Sequence, residues 1–495
     1  MDRPGMSAPK VGASRGNGAG QPIRPVDLHA EPLAETPDER TAIERVIDGG
    51  YCVGCGACAF AEPEAFSMQW TGLGALAARV DARSPEALRR ASPLCPMSGE
   101  GANEDEIAAR LFPALPRFDD VGRVSSVVAA HRQDETDRLA SSSGGILTYV
   151  SARLLERGLV DAVMHVVPAA GREGLFEFSL SRTVDELNGG RKSRYYPVEM
   201  SGVLKQIRQF DGQVAIMGVP CFIKAVRKLA DHDPELGSRI RYCLGLICGH
   251  LKTRFFAEFL AWQKGIAPGD LGAIDFRDKI AGRSASAYGF RAATRDGEIA
   301  ASPMAAVAGG DWGEGMFKLK ACDFCDDVVA ECADIAVGDA WLDSFTGDYR
   351  GTSVVCFRDS EIERLVRDGA SSGDLAMSEL TVEELVRSQS AGIRHRTEGL
   401  AHRLHKRAQT GEWAPRKRIE PGEAPPPRAR IYELREDLRE ESNRHFSAAK
   451  RQGELAHFFR QIGPLRRAYR QAYLPPKHKR VLGRLKRMGR KLLRR

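Results

Sequence analysis

Eleven cysteines stand in this 495-residue chain, and their spacing is its most chemically informative feature. Cys52, Cys55 and Cys58, in Y-C-V-G-C-G-A-C-A-F, recur every third residue in a segment that contains two glycines. A C-x2-C-x2-C run lets a tight loop set three thiolates around three irons of a cubane. The fourth iron needs a remote thiolate, and Cys95, followed by Pro96, supplies it. A run serving two clusters would continue with a cysteine four residues after Cys58. Glu62 stands there instead, before Pro63, so one 4Fe-4S cluster is expected in this segment. Four thiolates also suit zinc, but zinc sites favour two separated pairs over three evenly spaced cysteines.

Among the other seven, Cys322 and Cys325 form a C-x2-C pair with Cys332 beyond it, while Cys221 and Cys248 each end an apolar run at a turn, where a side chain can face a cofactor. Cys243 and Cys356 lie inside apolar runs and read as small buried residues. By spacing alone, a second metal site and a set of buried thiols are equally good readings. His250, beside Cys248, could tune a bound metal, protonate a substrate, or serve as a hydrogen-bonded structural histidine.

Two further segments carry nucleotide chemistry. Ser141-Ser142-Ser143-Gly144-Gly145 stands between an apolar run and a helical stretch. Backbone N–H groups and hydroxyls at a helix N-terminus hold phosphate, although the same residues make an ordinary N-cap. Arg191-Lys192-Ser193-Arg194-Tyr195-Tyr196 combines cations, a hydroxyl and rings, suited to pyrophosphate and a stacked ring or else to a solvated basic loop. No G-x-G-x-x-G follows a strand with an acidic residue about 20 positions on, so a standard dinucleotide fold has no support.

The hydropathy pattern indicates which elements position these residues. Residues 1–40 lack an apolar period and are expected to form a disordered leader. Residues 41–116 read as a compact ferredoxin-like segment ended by Pro113 and Pro116. Over 117–395 apolar runs (124–130, 160–167, 214–217, 244–247) alternate with helical stretches (146–156, 222–229, 253–264), which predicts an α+β (mixed α/β) domain. From 396 to 495 there are 28 Lys and Arg against 10 Asp and Glu, so a tail of +18 leaves −11 on the rest of the chain. This stretch reads as a basic helical appendage outside the catalytic core. Within it, residues 481–493 pattern as a basic amphipathic helix, suited to an anionic membrane surface or an acidic partner. No nucleic-acid-binding module is recognisable.

No run of about 18 uncharged apolar residues occurs, so neither secretion nor membrane spanning is indicated. The expected setting is the cytoplasm, where thiols persist as metal ligands, with the tail allowing peripheral attachment at the inner membrane face.

Taken in order, C-V-G-C-G-A-C, S-S-G-G, K-S-R-Y, G-V-P-C-F, L-I-C-G-H and C-D-F-C followed by A-D-I-A-V-G-D make residues 48–345 resemble the coenzyme F420 hydrogenase/dehydrogenase beta-subunit family. The resemblance implies an iron-sulfur flavoprotein oxidoreductase, with FAD and 4Fe-4S clusters, that passes electrons to or from a redox carrier or small-molecule substrate. That carrier is the deazaflavin coenzyme in archaeal members, and other relatives act on a chlorophyll derivative or in polysaccharide pathways. Carried over by position, Ser142, Ser143, Gly144 and Gly145 touch the flavin nucleotide, and Lys192, Ser193 and Tyr195 line the same pocket. Cys248, Cys322 and Cys325 hold a second cluster. Cys221 is favoured over Cys332 as its fourth ligand, because the family's Pro-Cys turn supplies a cysteine there. The family's Pro-Cys-Gln reads Pro220-Cys221-Phe222 here. The implied order of transfer is carrier, flavin, second cluster, first cluster, then a protein partner. Two competing readings are a non-enzymatic electron-transfer or assembly subunit, and a zinc-binding scaffold.

Overall fold

Apolar residues fill both faces of the central strands, the signature of a parallel sheet covered on each side. The structure, a computed structural model, describes residues 39–171 and 174–474. The leader expected over 1–40 falls almost wholly outside these, as does the basic helix expected over 481–493. An eight-stranded sheet carries the fold, in the spatial order Leu375–Leu380, Ser126–Arg132, Ser353–Phe357, Ile335–Asp339, Ile240–Leu246, Val214–Gly218, Ala162–Pro168 and Phe176–Ser181. Ile335–Asp339, Ile240–Leu246, Val214–Gly218 and Ala162–Pro168 run parallel, and the remaining pairings are antiparallel. The mixed α/β expectation holds.

Successive side chains on a strand point to opposite faces. Val214 and Ile216 accordingly join one core while Ala215 joins the other. Cys243 and Cys356 join the first core, flanked in sequence by Tyr242, Leu244, Val355 and Phe357 in the second. At the end of Val214–Gly218 the chain turns directly into the helix Pro220–His232. Pro220 occupies a first-turn position, where its missing N–H costs nothing, and Cys221 sits beside it.

Before the sheet, the hairpin Phe66–Trp70/Leu76–Val80 and the helices Ala42–Asp48, Ala57–Ala61 and Pro85–Ala91 enclose a small core around Ile43, Phe66, Leu88 and Ala91. Tyr51, Val53, Phe60 and Met97 of the same segment join the larger core instead. The change of character near residue 116 is thus a boundary of composition rather than of packing.

The helices after residue 396 are not an appendage, which corrects the expectation from charge. Leu400 and Leu404 of the helix Glu398–Thr410 belong to the main core. Ile431, Leu434, Leu438 and Phe446 of Pro426–Gln452, with Phe458 and Ile462 of Leu455–Ala472, form a second core with Phe256, Phe259 and Phe317. Ring centroids there lie 4.7 Å (Phe259–Phe458) to 5.9 Å (Phe446–Phe458) apart. The charge excess misleads because several arginines are themselves buried. Arg403 is 1% exposed and Arg439 7%, and long side chains of this kind lay apolar stems against a core. No described helix is long and apolar enough to cross a membrane.

Phe446 is fully buried among five other aromatic rings. Phe446→Ala is expected to remove about 3–5 kcal/mol of stability, read as a lower denaturant midpoint of the full chain. A loss below about 1 kcal/mol would mean that these helices do not belong to the folding unit.

Candidate functional site

In open sheets, ligand sites form beyond the carboxyl ends of parallel strands. Here a cavity of about 800 Å³ lies against residues that follow those ends: Val219 after Val214–Gly218, Ile247 to His250 after Ile240–Leu246, and Trp341 after Ile335–Asp339. Its size falls within the ordinary range for small-molecule and cofactor sites.

Ser142, Ser143 and Gly145 line this cavity, together with Ile146, Leu147 and Thr148 of the first turn of the helix Ile146–Glu156. Gly145 opens that helix at φ +82°, and no side chain caps it. First-turn N–H groups lacking partners are a natural anion site. Gly144 departs from the expectation, because it does not line the cavity. Its N–H donates to Ser353 Oγ (3.1 Å) and its carbonyl accepts from the Arg132 N–H (2.9 Å). A Cβ at Gly144 would fall 2.5 Å from the Ala130 carbonyl oxygen, so glycine is required there for close packing.

The second basic segment meets this turn directly. The Ser193 N–H and hydroxyl reach Ser142 Oγ at 2.7 and 3.0 Å. Lys192, in the left-handed region at φ +84°, pairs with Asp275 (3.2 Å) and donates to the Arg277 carbonyl (3.1 Å). Arg277, 5% exposed, ties the pieces together. Its two terminal nitrogens grip both Asp339 oxygens at 2.8 and 2.9 Å, one also donates to the Ser142 carbonyl (3.2 Å), and the guanidinium lies 4.3 Å from the Tyr288 ring centre. Burial opposes that charge, yet Asp339 holds the guanidinium protonated. Nearby, burial and the neighbouring cations pull the Lys279 pKa down to about 7. Three carbonyls (Arg138, Ser143 and Arg350) nevertheless accept from its Nζ at 2.5–3.0 Å, a cage that fits the ammonium form.

An aromatic wall leads from this end of the cavity towards Cys248. Tyr195 contacts Trp312 edge-on (4.7 Å), Trp312 contacts His250 (4.4 Å), and the Trp312 Nε1–H donates to the Tyr288 hydroxyl (3.0 Å). His250 is buried with Nε2 unpartnered, and burial with nearby Lys252 holds its pKa well below the usual range, so it is a neutral imidazole. The Lys252 Nζ donates to the Met316 carbonyl (2.6 Å) and lies 4.6 Å from the ring centres of both Phe256 and Trp312.

The cysteines gather in two groups, all of them free thiols. Burial is the first cause raising the Cys55 and Cys58 thiols, and charge from Cys52 and Cys95 adds to it. Cys95 is pushed up to about 11. Two backbone N–H groups, of Gly54 and Ala78, donate to Cys52 Sγ at 3.4 Å. Gly54 and Gly56 both have positive φ, and a Cβ on Gly56 would fall 2.4 Å from Glu199 Oε2, so the loop closes only with glycine there.

Cys221, Cys248, Cys322 and Cys325 form the second group. Burial raises the Cys221 thiol, as does charge from Cys325, Cys248, Cys322 and, across to the first group, Cys55. Burial likewise pushes Cys248 to about 12 and Cys322 to about 11. The Leu251 N–H donates to Cys322 Sγ at 3.2 Å. Burial raises the Cys332 thiol, and the charges that act on it most come from Glu104, Asp327, Lys224 and Glu331. Among the described residues, no three His, Cys, Asp or Glu side chains converge closely enough to chelate a single metal ion.

Sequence reasoning missed Arg277, Tyr288, Trp312, His395, Arg396 and Arg435, all of which line the cavity. Asp339 and Lys252 sat within or beside quoted motifs. Arg277 had no local signal, being an isolated cation on the strand Leu271–Asp278.

Two family models match the chain, for the N-terminal and the C-terminal parts of the coenzyme F420 hydrogenase/dehydrogenase beta subunit. The first covers residues 127–205 and the second 211–383. Together they span slightly over half the chain, leaving out residues 41–116 and the helices after 396. Among curated proteins, an F(420)H(2) dehydrogenase subunit of Methanosarcina mazei is 23% identical over 214 residues, 42% of this chain and 56% of that protein, so the match spans little more than half of that relative. The beta subunit of coenzyme F420 hydrogenase of Methanothermobacter thermautotrophicus is 22% identical over 247 residues, 48% of this chain and 81% of that protein. A chain of the F420-reducing NiFe hydrogenase complex from Methanosarcina barkeri aligns with a TM-score of 0.46 at 18% identity, over 61% of this chain and 99% of that one.

His165 lines the cavity at 2% exposure, with Nε2 2.7 Å from Ser181 Oγ. Burial first, and the Arg194 cation second, lower its pKa to about 4. The unfolded chain binds this proton near pH 6.5 and the folded chain only near 4. Stability present above about pH 6.5 is therefore lost as pH falls towards 4, by on the order of 3 kcal/mol. His165→Gln is expected to flatten that part of a pH series of denaturant midpoints.

Proposed function

The chain belongs to the coenzyme F420 hydrogenase/dehydrogenase beta-subunit family, and from that premise we propose that it is an iron-sulfur flavoprotein oxidoreductase. In this reading it exchanges electrons between a two-electron carrier or small substrate in the cavity and a protein partner. One arrangement carries the reading. Cys248 lines the cavity, it belongs to the second thiol group, and Cys221 of that group lies within charge range of Cys55 in the first. Cavity, second group and first group thus stand in series.

In this reading each donor set is assigned one group. Cys52, Cys55, Cys58 and Cys95 would bind one 4Fe-4S cluster, and Cys221, Cys248, Cys322 and Cys325 another. Burial raises the Cys55, Cys58, Cys95, Cys221, Cys248 and Cys322 thiols, and a bound cationic metal centre would favour their thiolate forms. Ser142, Ser143, Gly145, Lys192, Ser193, Tyr195 and Arg277 would hold FAD, with the helix N-terminus suited to a phosphate. When bound, FAD supplies two-electron exchange with an organic partner, and each cluster supplies one-electron exchange.

The chain's own residues set the conditions for that chemistry. N–H donors to Cys52 and Cys322 favour electron-rich sulfur. Lys228, whose Nζ donates to the Pro93 and Glu100 carbonyls (2.9 and 2.7 Å), and Arg396, beside Cys248 and Cys325, place positive charge next to the two groups. Both cations favour the reduced state. His250 offers its unpartnered ring nitrogen to whatever occupies the cavity. Free thiols throughout accord with work in the reducing cytoplasm.

Anaerobically purified and reconstituted protein is expected to carry about eight irons per chain and FAD. Cys55→Ala and Cys221→Ala should each lower iron by about half while retaining flavin, and Cys332→Ala should leave iron unchanged. Material without iron or yellow pigment would sink the redox reading. Iron without flavin would favour the non-enzymatic electron-transfer subunit, and iron loss in Cys332→Ala alone would overturn Cys221 as the fourth ligand.

A further inference from the structure

Ten lysines and arginines line the cavity against one carboxylate among the described residues, Asp339, and Arg277 already holds that one. The cations fall into two sets. Arg191, Lys192, Arg194 and Arg277 accompany the Ser142 turn, where Asp137, Asp275 and Asp339 offset three of them. The other set is Arg387, Arg394, Arg396, Arg428 and Arg435, with Lys252 beside them, whose pKa burial holds well below the usual lysine range. Arg387 and Arg428 pair with Glu384 and Glu398 at 3.2 Å. Among the described residues, no carboxylate lies within ion-pair distance of Lys252, Arg394, Arg396 or Arg435.

Buried polar groups at this end also lack partners. Arg396 is 2% exposed, one terminal nitrogen donates to the Cys248 and Gly249 carbonyls (2.8 Å each), and the Cys325 sulfur neighbours the rest of its guanidinium, where no oxygen or nitrogen accepts. Arg435 Nε is buried without one. Neither ring nitrogen of His395, 4% exposed, has a hydrogen-bond partner. Arg396 faces the Cys248 and Cys325 thiols, whereas Arg394 and Arg435 have no anionic partner among the described residues, and a buried guanidinium nitrogen without an acceptor is costly unless a ligand supplies one. Exposure falls from Arg394 through Arg435 to Arg396, making a cationic funnel that draws an anion inward.

These arginines lie beyond residue 383, outside both matched family regions. In the reading above, the Ser142 turn and its helix N-terminus take a phosphate of FAD, and Trp312 contacts both Tyr195 and His250 between that turn and Cys248. We infer that the C-terminal helices build a second anion pocket beside Cys248, with Arg394, Arg396 and Arg435 recognising an oxyanion, carboxylate or phosphate, carried by the substrate. Its assignment to substrate rests on the flavin reading above, whereas anion binding itself does not. Guanidinium groups suit both oxyanions because their planar forks match them bidentately.

The test uses full-length protein reconstituted with iron, sulfide and FAD, titrated calorimetrically with inorganic phosphate and, separately, with glutarate. Saturable binding of at least one probe is expected. Arg435→Met should weaken it about tenfold or more with FAD content and unfolding midpoint unchanged, and Arg435→Lys should fall between. Phosphate alone would mark a phosphorylated substrate, and glutarate alone a carboxylate. If Arg435→Met misfolds, the exposed Arg394→Met should weaken the same probe. Binding of neither probe, or equal binding by the variants, overturns the proposal, as does loss of FAD in folded Arg435→Met, which would give these cations to the cofactor. Probe binding that depends on Arg435 in protein unable to take up flavin would sustain the anion pocket while the flavin reading fails.

Discussion

Asp323 stands between Cys322 and Cys325 with no solvent exposure, and its charge is the constraint around which this end of the molecule is organised. Burial alone would raise its pKa, but Lys318, Arg403 and Arg439 hold the carboxylate ionised, with a pKa of about 2. The Lys318 ammonium contacts one oxygen, Arg439 Nε approaches the other at 3.0 Å, and Arg403 Nε donates to the Asp323 backbone carbonyl at 2.6 Å. A buried ion cluster of this kind adds little net stability over an apolar one, but loss of any member leaves bare charge inside the protein. The loop carrying two thiols is thereby tied to two helices, Glu398–Thr410 and Pro426–Gln452, that are distant in sequence.

The connection between those helices extends the same logic to the N-terminal segment. The Tyr51 hydroxyl donates to the Trp413 carbonyl (3.0 Å), and Lys417 pairs with Asp326 (3.3 Å). Arg418 grips both Glu331 oxygens at 2.8 and 2.9 Å and reaches Glu104 at 3.6 Å. One stretch of chain thus crosses from the first thiol group to the body that holds the second. Thiols from three separate regions can be kept in mutual range because the residues between them have no freedom to drift. One of these two helices, Pro426–Gln452, also lines the cavity through Arg428, Tyr432 and Arg435, which couples the thiol loop to the shape of the binding site.

Much of the site was legible because its chemistry depends on local spacing. The run Cys52, Cys55, Cys58 needs only a glycine-bearing loop, and the Ser142 and Ser193 segments each carry their own donors. Gly144 lies outside the cavity lining and packs closely on Ala130, and a glycine serving close packing looks identical, in sequence, to one serving a ligand. The helices after 396 were misjudged because charge was counted without knowing which arginines are buried. Arg277 was missed altogether, since nothing around it in the chain announces that Asp339, Ser142 and Tyr288 meet it in space.

The sequence by itself determined the element types, through periodicity, and the kinds of chemistry available, through residue types at short spacing. Folding decided that Cys221 comes within charge range of Cys248, Cys322 and Cys325, and that arginines of a basic C-terminal stretch line a cavity. Hydropathy and spacing act over a few residues along the chain. Ion pairing and hydrogen bonding act across gaps of 100 or more residues (Asp323 to Arg439, Thr253 to Asn443), and only the packed chain reveals those pairings.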